Sequence, residues 1–114
     1  MPEIVILNRF DIIRKMALSH EKIVDIGCSF GEMFGDRATN VDIYSPEQRR
    51  GWITNSGISI PDIPNFCHAS ADKLPFKDKE YDVAVLSEII EHIGVEDPAA
   101  VVNEAQRVAK SVII

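Results

Sequence analysis

A run of membrane-spanning length is the first thing this sequence lacks: no apolar stretch approaches the roughly 20 residues such a helix needs. The opening MPEIVILNRFD carries an early acid and no small-residue cleavage pattern. The chain is therefore expected in the cytoplasm, with no membrane partner. Cysteine is scarce as well. Cys28 and Cys67 have no neighbours at zinc-ligand spacing, and without a secretion signal they read as free buried thiols rather than a disulfide. Positive charge is also in deficit: 12 Lys and Arg against 18 Asp and Glu give a net charge of −6, which disfavours broad attraction to nucleic acid. The densest cations, Arg14-Lys15 and Arg49-Arg50, read as solvated helix faces. No repeat, low-complexity tract or linker divides the chain. Its 114 residues, 46% hydrophobic and 26% charged, are expected to form one domain over 1–114 with one core.

Strand and helix signals alternate along the chain. Asn8 is placed to cap a first helix in which Phe10, Ile13 and Ala17 recur at helical spacing, with Asp11 three residues after the cap. KIVDI, residues 22–26, is short, β-branched and followed at once by glycine, the pattern of a buried strand ending in a loop. A short helix is expected from Gly31 to about Arg37, then a second strand over Asn40 to Ile43. Ser45-Pro46-Glu47-Gln48 supplies a capping serine, a proline at the first helical position and a glutamine three after the cap. Residues 51–64 hold Gly51, Asn55, Gly57, Pro61 and Pro64 and read as a long loop. Asn65 to His68 and the stronger YDVAVL, 81–86, are strands. Asp97-Pro98 opens a helix with Val101, Ala105 and Val108 on one stripe and Val102 and Ala109 beside it, and SVII closes the chain as a fifth strand. The alternation implies an α/β fold: a mostly parallel, doubly wound sheet of about five strands with helices on both faces.

The loop DIGCSFGEMFG, 25–35, admits two chemistries. Gly27-Cys28-Ser29-Phe30-Gly31 matches G-x-S-x-G, the nucleophile elbow of a serine hydrolase, but an elbow needs strands and an oxyanion loop laid down before it. One strand precedes Ser29, and His92 would have to serve alone as base. The alternative is a glycine-bent loop that holds a nucleotide-like ligand beyond the first strand, with an acid closing strand two to accept ribose hydroxyls; Asp42 sits there. A dinucleotide fingerprint would want G-x-G-x-x-G, whereas the glycines here are Gly27, Gly31 and Gly35.

Five ordered blocks resemble the class I S-adenosylmethionine-dependent methyltransferases, from Lys22 to Ile114. IVDIGCSFG is similar to the family's first motif, usually acid-x-Gly-x-Gly-x-Gly. The resemblance implies that Asp25, Gly27, Cys28, Ser29 and Gly31 hold the methionine end of the cofactor, with Ser29 in place of the middle glycine. NVDIYSPE resembles the second motif, which implies Asp42 on the ribose hydroxyls and Ile43 against the adenine. HASADKLPF resembles the third block, G-D-A-x-x-L-P-F. Aligned on Leu74-Pro75-Phe76, the family's adenine-binding acid is Ser70 here, followed by Ala71, with Asp72 as the nearby substitute. YDVAVLSEIIEHI resembles the fourth block, which implies Ser87 as a further cofactor contact, and DPAAVVNEAQRVAKSVII resembles the helix and strand that follow, without the usual proline-glycine-glycine turn.

Within SEIIEHI, Glu88, Glu91 and His92 can converge on one helical turn. The E-x-x-E-H pattern is similar to the metal-binding motif of ubiquinone-pathway O-methyltransferases and small-RNA 2′-O-methyltransferases, which implies a divalent metal that draws an acceptor hydroxyl towards ionisation. Without metal, His92 would line the acceptor side as the catalytic residue; the plain alternative is a solvated face. Tyr44 and Trp52 read as packing residues, and His20 and His68 show no partner pattern.

Family members continue past the fifth strand with a helix and two further strands, and only eleven positions separate Gly31 from Asp42. The expectation is a minimal or truncated core, whose last strand forms an open edge able to pair with a second copy or companion subunit. The leading functional expectation is an S-adenosylmethionine-dependent methyltransferase acting on an acceptor such as a small hydroxylated molecule. The alternative is a non-catalytic cofactor-binding or interaction subunit that retains the fold.

Overall fold

The computed structural model describes residues 8–52, 61–86 and 97–114. Helix α1, Arg9–Ala17, starts where the sequence caps it: the Asn8 side chain accepts from the Asp11 N–H at 2.8 Å. Strands β1, Ile23–Ile26, and β2, Ala38–Asp42, are joined through the glycine loop. Helix α2, Pro46–Trp52, follows, with a reciprocal capping box at its start. The Gln48 N–H donates to Ser45 Oγ at 3.1 Å, and the Ser45 N–H donates to Gln48 Oε1 at 2.8 Å. Strands β3, Phe66–His68, and β4, Tyr81–Val85, precede helix α3, Pro98–Val108, which runs straight into β5, Ala109–Ile113. Asp97 caps α3 by accepting from the Ala100 N–H at 3.2 Å.

The strands lie in the order β3-β2-β1-β4-β5, all pairings parallel. β1 is central, and all four of its residues are buried, as a strand covered on both faces must be. Ile23 packs into a cluster with Ile13 and Ala17 of α1 and Val83 and Val85 of β4. Val24 and Ile26 point to the other face, into a cluster with Ala84, Leu86 and the α3 stripe Val101, Ala105 and Val108. Helices therefore cover both faces. Since the chain winds outward from β1 through β2 to β3 and then returns to β4 at the other side of β1, the winding reverses between β1 and β4. Such a reversal opens a crevice at the carboxyl ends of the strands.

Four local expectations are corrected. The span Gly31–Arg37 is turns with a single 3-10 turn at Gly35–Arg37 rather than a helix, because Gly31 and Gly35 both take positive φ, 72° and 54°, and neither angle fits a right-handed helix. β2 begins two residues early, at Ala38, which pairs with Ile23. Ala109 belongs to β5 rather than to the helix stripe: it pairs with Tyr81 and is buried there. The expected loop 51–64 begins later, since α2 extends through Gly51 and Trp52; residues 53–60 lie outside the described residues. Arg107 fastens the segment before β4 to α3, donating to the carbonyls of Leu74 at 3.0 Å and Phe76 at 2.8 Å. Among the described residues no helix is long and apolar enough to cross a membrane.

Candidate functional site

The glycine loop is shaped by alternation of backbone handedness. Gly27, Ser29 and Gly31 take φ of 78°, 56° and 72°, the left-handed region that an L-residue enters only at a cost. Ser29 thus holds a backbone conformation that glycine adopts more readily. The turns are fixed by β2: the N–H groups of Gly27 and Cys28 both donate to the Val41 carbonyl, at 2.8 and 2.9 Å. Gly31 has a second reason to be glycine. A Cβ there would stand 2.8 Å from Ile63 Cγ2, and Ile63 is buried, so the segment after the undescribed stretch packs directly on the loop.

Asp42, at the end of β2, is the electrostatic centre. It is only 3% exposed, yet its oxygens are well supplied with donors. Oδ2 accepts from the Ser29 N–H at 2.9 Å and from Arg49 Nη2 at 3.2 Å, and Oδ1 accepts from the Tyr44 N–H at 2.9 Å. Such bonds fix the carboxylate in one orientation. One acid therefore ties the first loop, the end of β2 and α2 together. Arg49 is held further by aromatic faces: its guanidinium carbon lies 5.1 Å from the Phe30 ring centre and 5.7 Å from that of Tyr44, within cation–π range.

Beside the loop opens a cleft lined by Phe10, Asp25, Gly27, Cys28, Ser29, Glu32 and Met33. Asp25, the penultimate residue of β1, lines it and is 2% exposed. The Cys28 thiol is pushed up to about 12, mainly by burial and then by the negative charges of Asp25 and Asp42; at neutral pH it is an un-ionised loop residue and no nucleophile. Glu32 Oε2 accepts from the Phe30 N–H at 3.0 Å, which presents the Phe30 ring, 49% exposed, at the rim.

On the other side of Asp42, Ile43 is 43% exposed and its carbonyl lies 2.6 Å from His68 Nε2. The Ala69 N–H donates to the Asp42 carbonyl at 3.2 Å, so residues 70–72 leave β3 next to the acid. Ser70 Oγ donates to Asp72 Oδ1 at 2.5 Å, a link that orients the Asp72 carboxylate, while Ala71 packs against the core.

The structure thus brings Asp25, Gly27, Cys28 and Ser29 to one cleft, with Gly31 in the same loop, Asp42 bonded to that loop through the Ser29 N–H, and Ile43, Ser70 and Asp72 on the far side of Asp42. Ala71 turns inward instead. Ser87, Glu88, Glu91 and His92, and with them the expected metal set, lie outside the described residues. Among the described residues no group of three or more His, Cys, Asp or Glu stands at metal-binding geometry. Sequence reasoning missed Phe10, Glu32 and Met33 as lining residues, read Arg49 as part of a solvated helix face and gave His68 no partner. Arg49 had a signal, since it lies one turn after the Ser45 cap and so faces back towards the end of β2. His68 had none, because its partner is a backbone carbonyl 25 positions away.

A family model described as "Methyltransferase domain" matches residues 24–112. Solved structures share the fold. YcgJ from Bacillus subtilis aligns at 22% identity with a TM-score of 0.62, covering 88% of this chain and 45% of its own. A SAM-dependent methyltransferase from Methanosarcina mazei aligns at 24% and 0.62, covering 90% and 54%. A Thermotoga maritima protein, described as a SAM-dependent methyltransferase and possible histamine N-methyltransferase, aligns at 22% and 0.53, covering 89% and 50%. The chain spans about half the length of these structures. Among curated proteins none matches.

Proposed function

Because the chain belongs to the class I S-adenosylmethionine-dependent methyltransferase family, we propose that it binds S-adenosylmethionine in the crevice between the glycine loop and Asp42 and serves methyl transfer to an acceptor. One observation carries this reading: a buried acid closes β2 beside a loop whose left-handed residues are pinned to the same strand. The residues present fit such a ligand. A ribose diol has two donors, and Asp42 is an acceptor-only group fixed in place by backbone N–H bonds. Ile43, beside it and exposed, offers an apolar face for a purine. Asp72, held by Ser70, stands in for the acid that family members place at the position of Ser70. Asp25 in the cleft lining supplies negative charge where the amino end of the ligand would lie.

The cofactor, when bound, supplies a methyl group already activated on a sulfonium. What the protein must add is alignment and exclusion of water. The Phe10 and Met33 side of the cleft is suited to exclusion, and the pinned loop to alignment. The acceptor side lies beyond β4, where the spacing of Glu88, Glu91 and His92 supports a divalent ion or a histidine acting on a small hydroxylated acceptor, in a protein working in the cytoplasm. Isothermal titration with S-adenosylhomocysteine tests the reading. Micromolar binding is expected, weakened about 100-fold in Asp42→Asn, since each lost bond to an ionised group is worth about 1.5–3 kcal/mol. Binding that survives this change in a folded variant would place the ligand elsewhere and overturn the assignment.

A further inference from the structure

The acid that would receive the ribose already has an occupant. Arg49 Nη2 bonds Asp42 Oδ2 at 3.2 Å, and the guanidinium is within cation–π range of both Phe30 and Tyr44. These contacts copy in miniature what a nucleoside would make there, a donor on the carboxylate and a flat group against aromatic faces. The occupant is also incompletely satisfied: Arg49 Nε is buried with no hydrogen-bond acceptor among the described residues, a state that favours exchange for a better-matched ligand. The other bonds to Asp42 come from backbone N–H groups of Ser29 and Tyr44, which persist when Arg49 leaves.

We propose that Arg49 is an internal competitor for the nucleoside end of this site, so that cofactor binding requires the Arg49 side chain to withdraw from Asp42 and Arg49 sets the affinity. The inference rests on the cofactor reading above. Its arithmetic is that of a binding-competent fraction: the apparent dissociation constant is the intrinsic one divided by the fraction of molecules with Asp42 released. Arg49 can withdraw because its stem is long and flexible while its backbone stays fixed in α2, where its N–H donates to the Ser45 carbonyl at 3.1 Å.

The test titrates S-adenosylhomocysteine, and separately adenosine, into the wild type, Arg49→Met, Arg49→Gln and Asp42→Asn, and into Arg49→Met combined with Asp42→Asn, with thermal melts to establish folding. Both Arg49 variants are expected to bind about tenfold more tightly than the wild type, a change of about 1.4 kcal/mol. Adenosine, which lacks the amino-acid end, should show the same gain, and the gain should vanish in the Asp42→Asn background, as a direct coupling requires. Two Arg49 variants are used so that a folding defect in one leaves the other to decide. Equal affinity of wild type and variants would overturn the proposal while leaving the cofactor reading intact. Weaker binding by both variants would overturn it by showing that the guanidinium holds the nucleoside rather than competing with it. Failure of every folded variant to bind either compound would overturn both readings, whereas binding by the Arg49 variants alone would support this one strongly.

Discussion

Replacing Gly31 with alanine puts two separable strains on the loop. The backbone stays at φ 72°, which costs an L-residue about 1–2 kcal/mol. The new methyl meets Ile63 Cγ2 at 2.8 Å, and because Ile63 is buried it has little room to yield, adding an overpacking cost of about 1–3 kcal/mol. Against this, alanine narrows the unfolded ensemble and returns about 0.4–1 kcal/mol. The net expectation is a loss near 3 kcal/mol, or a fall in melting temperature of about 10 °C for a domain of this size. Ser29 provides an internal control. It already bears a side chain at φ 56°, so Ser29→Gly removes the backbone strain with no change in packing and should stabilise the chain by about 0.5–1 kcal/mol. Thermal and urea unfolding of Gly31→Ala, Ser29→Gly and Gly31→Ala in an Ile63→Ala background separate the two costs: the double variant should show only the backbone part of the Gly31 penalty. A Gly31→Ala protein that melts within about 2 °C of the wild type would refute the packing of residues 61–64 on the loop.

Cys28 should resist thiol reagents at pH 8 until the protein unfolds, because its folded thiol is pushed up to about 12; prompt labelling of a Cys67→Ala protein would contradict this. The same shift has a pH signature. An unfolded thiol ionises near 9 while the folded one stays protonated, so the contribution is whole below pH 9 and is lost as pH rises from there to about 12. Tyr81, raised by burial, acts in the same sense at the upper end, and Cys28→Ala should blunt the fall below it. Arg107→Lys should lower the melting temperature by several degrees despite keeping the charge, because one ammonium cannot serve the carbonyls of Leu74 and Phe76 and the carboxylates of Glu104 and Asp78 together. A lysine variant as stable as the wild type would show that the fork geometry is irrelevant.

The sheet was legible because its signals are local. KIVDI and YDVAVL are short apolar runs bounded by turn residues, and caps at Asn8, Ser45 and Asp97 are each read from one side chain and a backbone N–H three residues on. Errors fell where backbone handedness decides the outcome. The 31–37 span has helix-compatible residues between its glycines, but positive φ at both ends cannot be inferred from composition, and the helix gave way to turns. Ala109 failed for a related reason: its spacing fits the α3 stripe, and only the pairing with Tyr81 across the sheet converts it to a strand residue.

The site divides along the same line. The places of Asp25, Gly27 and Asp42 were legible because they follow from position near strand ends, which the topology fixes. His68 was not, because its partner lies 25 positions away, and Arg49, seven residues from Asp42, reads from sequence as a solvated helix face. Asp42 shows why that distinction bears on function. Its sequence context marks it as an acceptor for a ligand, while its actual bonds give it three protein donors, two of them backbone. The backbone pair pre-organises the carboxylate whether or not a ligand is present, so little ordering is left for binding to supply. The side-chain donor is the one element that can exchange. The Ser29 substitution fits the same logic: the loop keeps the left-handed turn that aims the Ser29 N–H at Asp42, and it does so at the expense of local stability rather than of geometry.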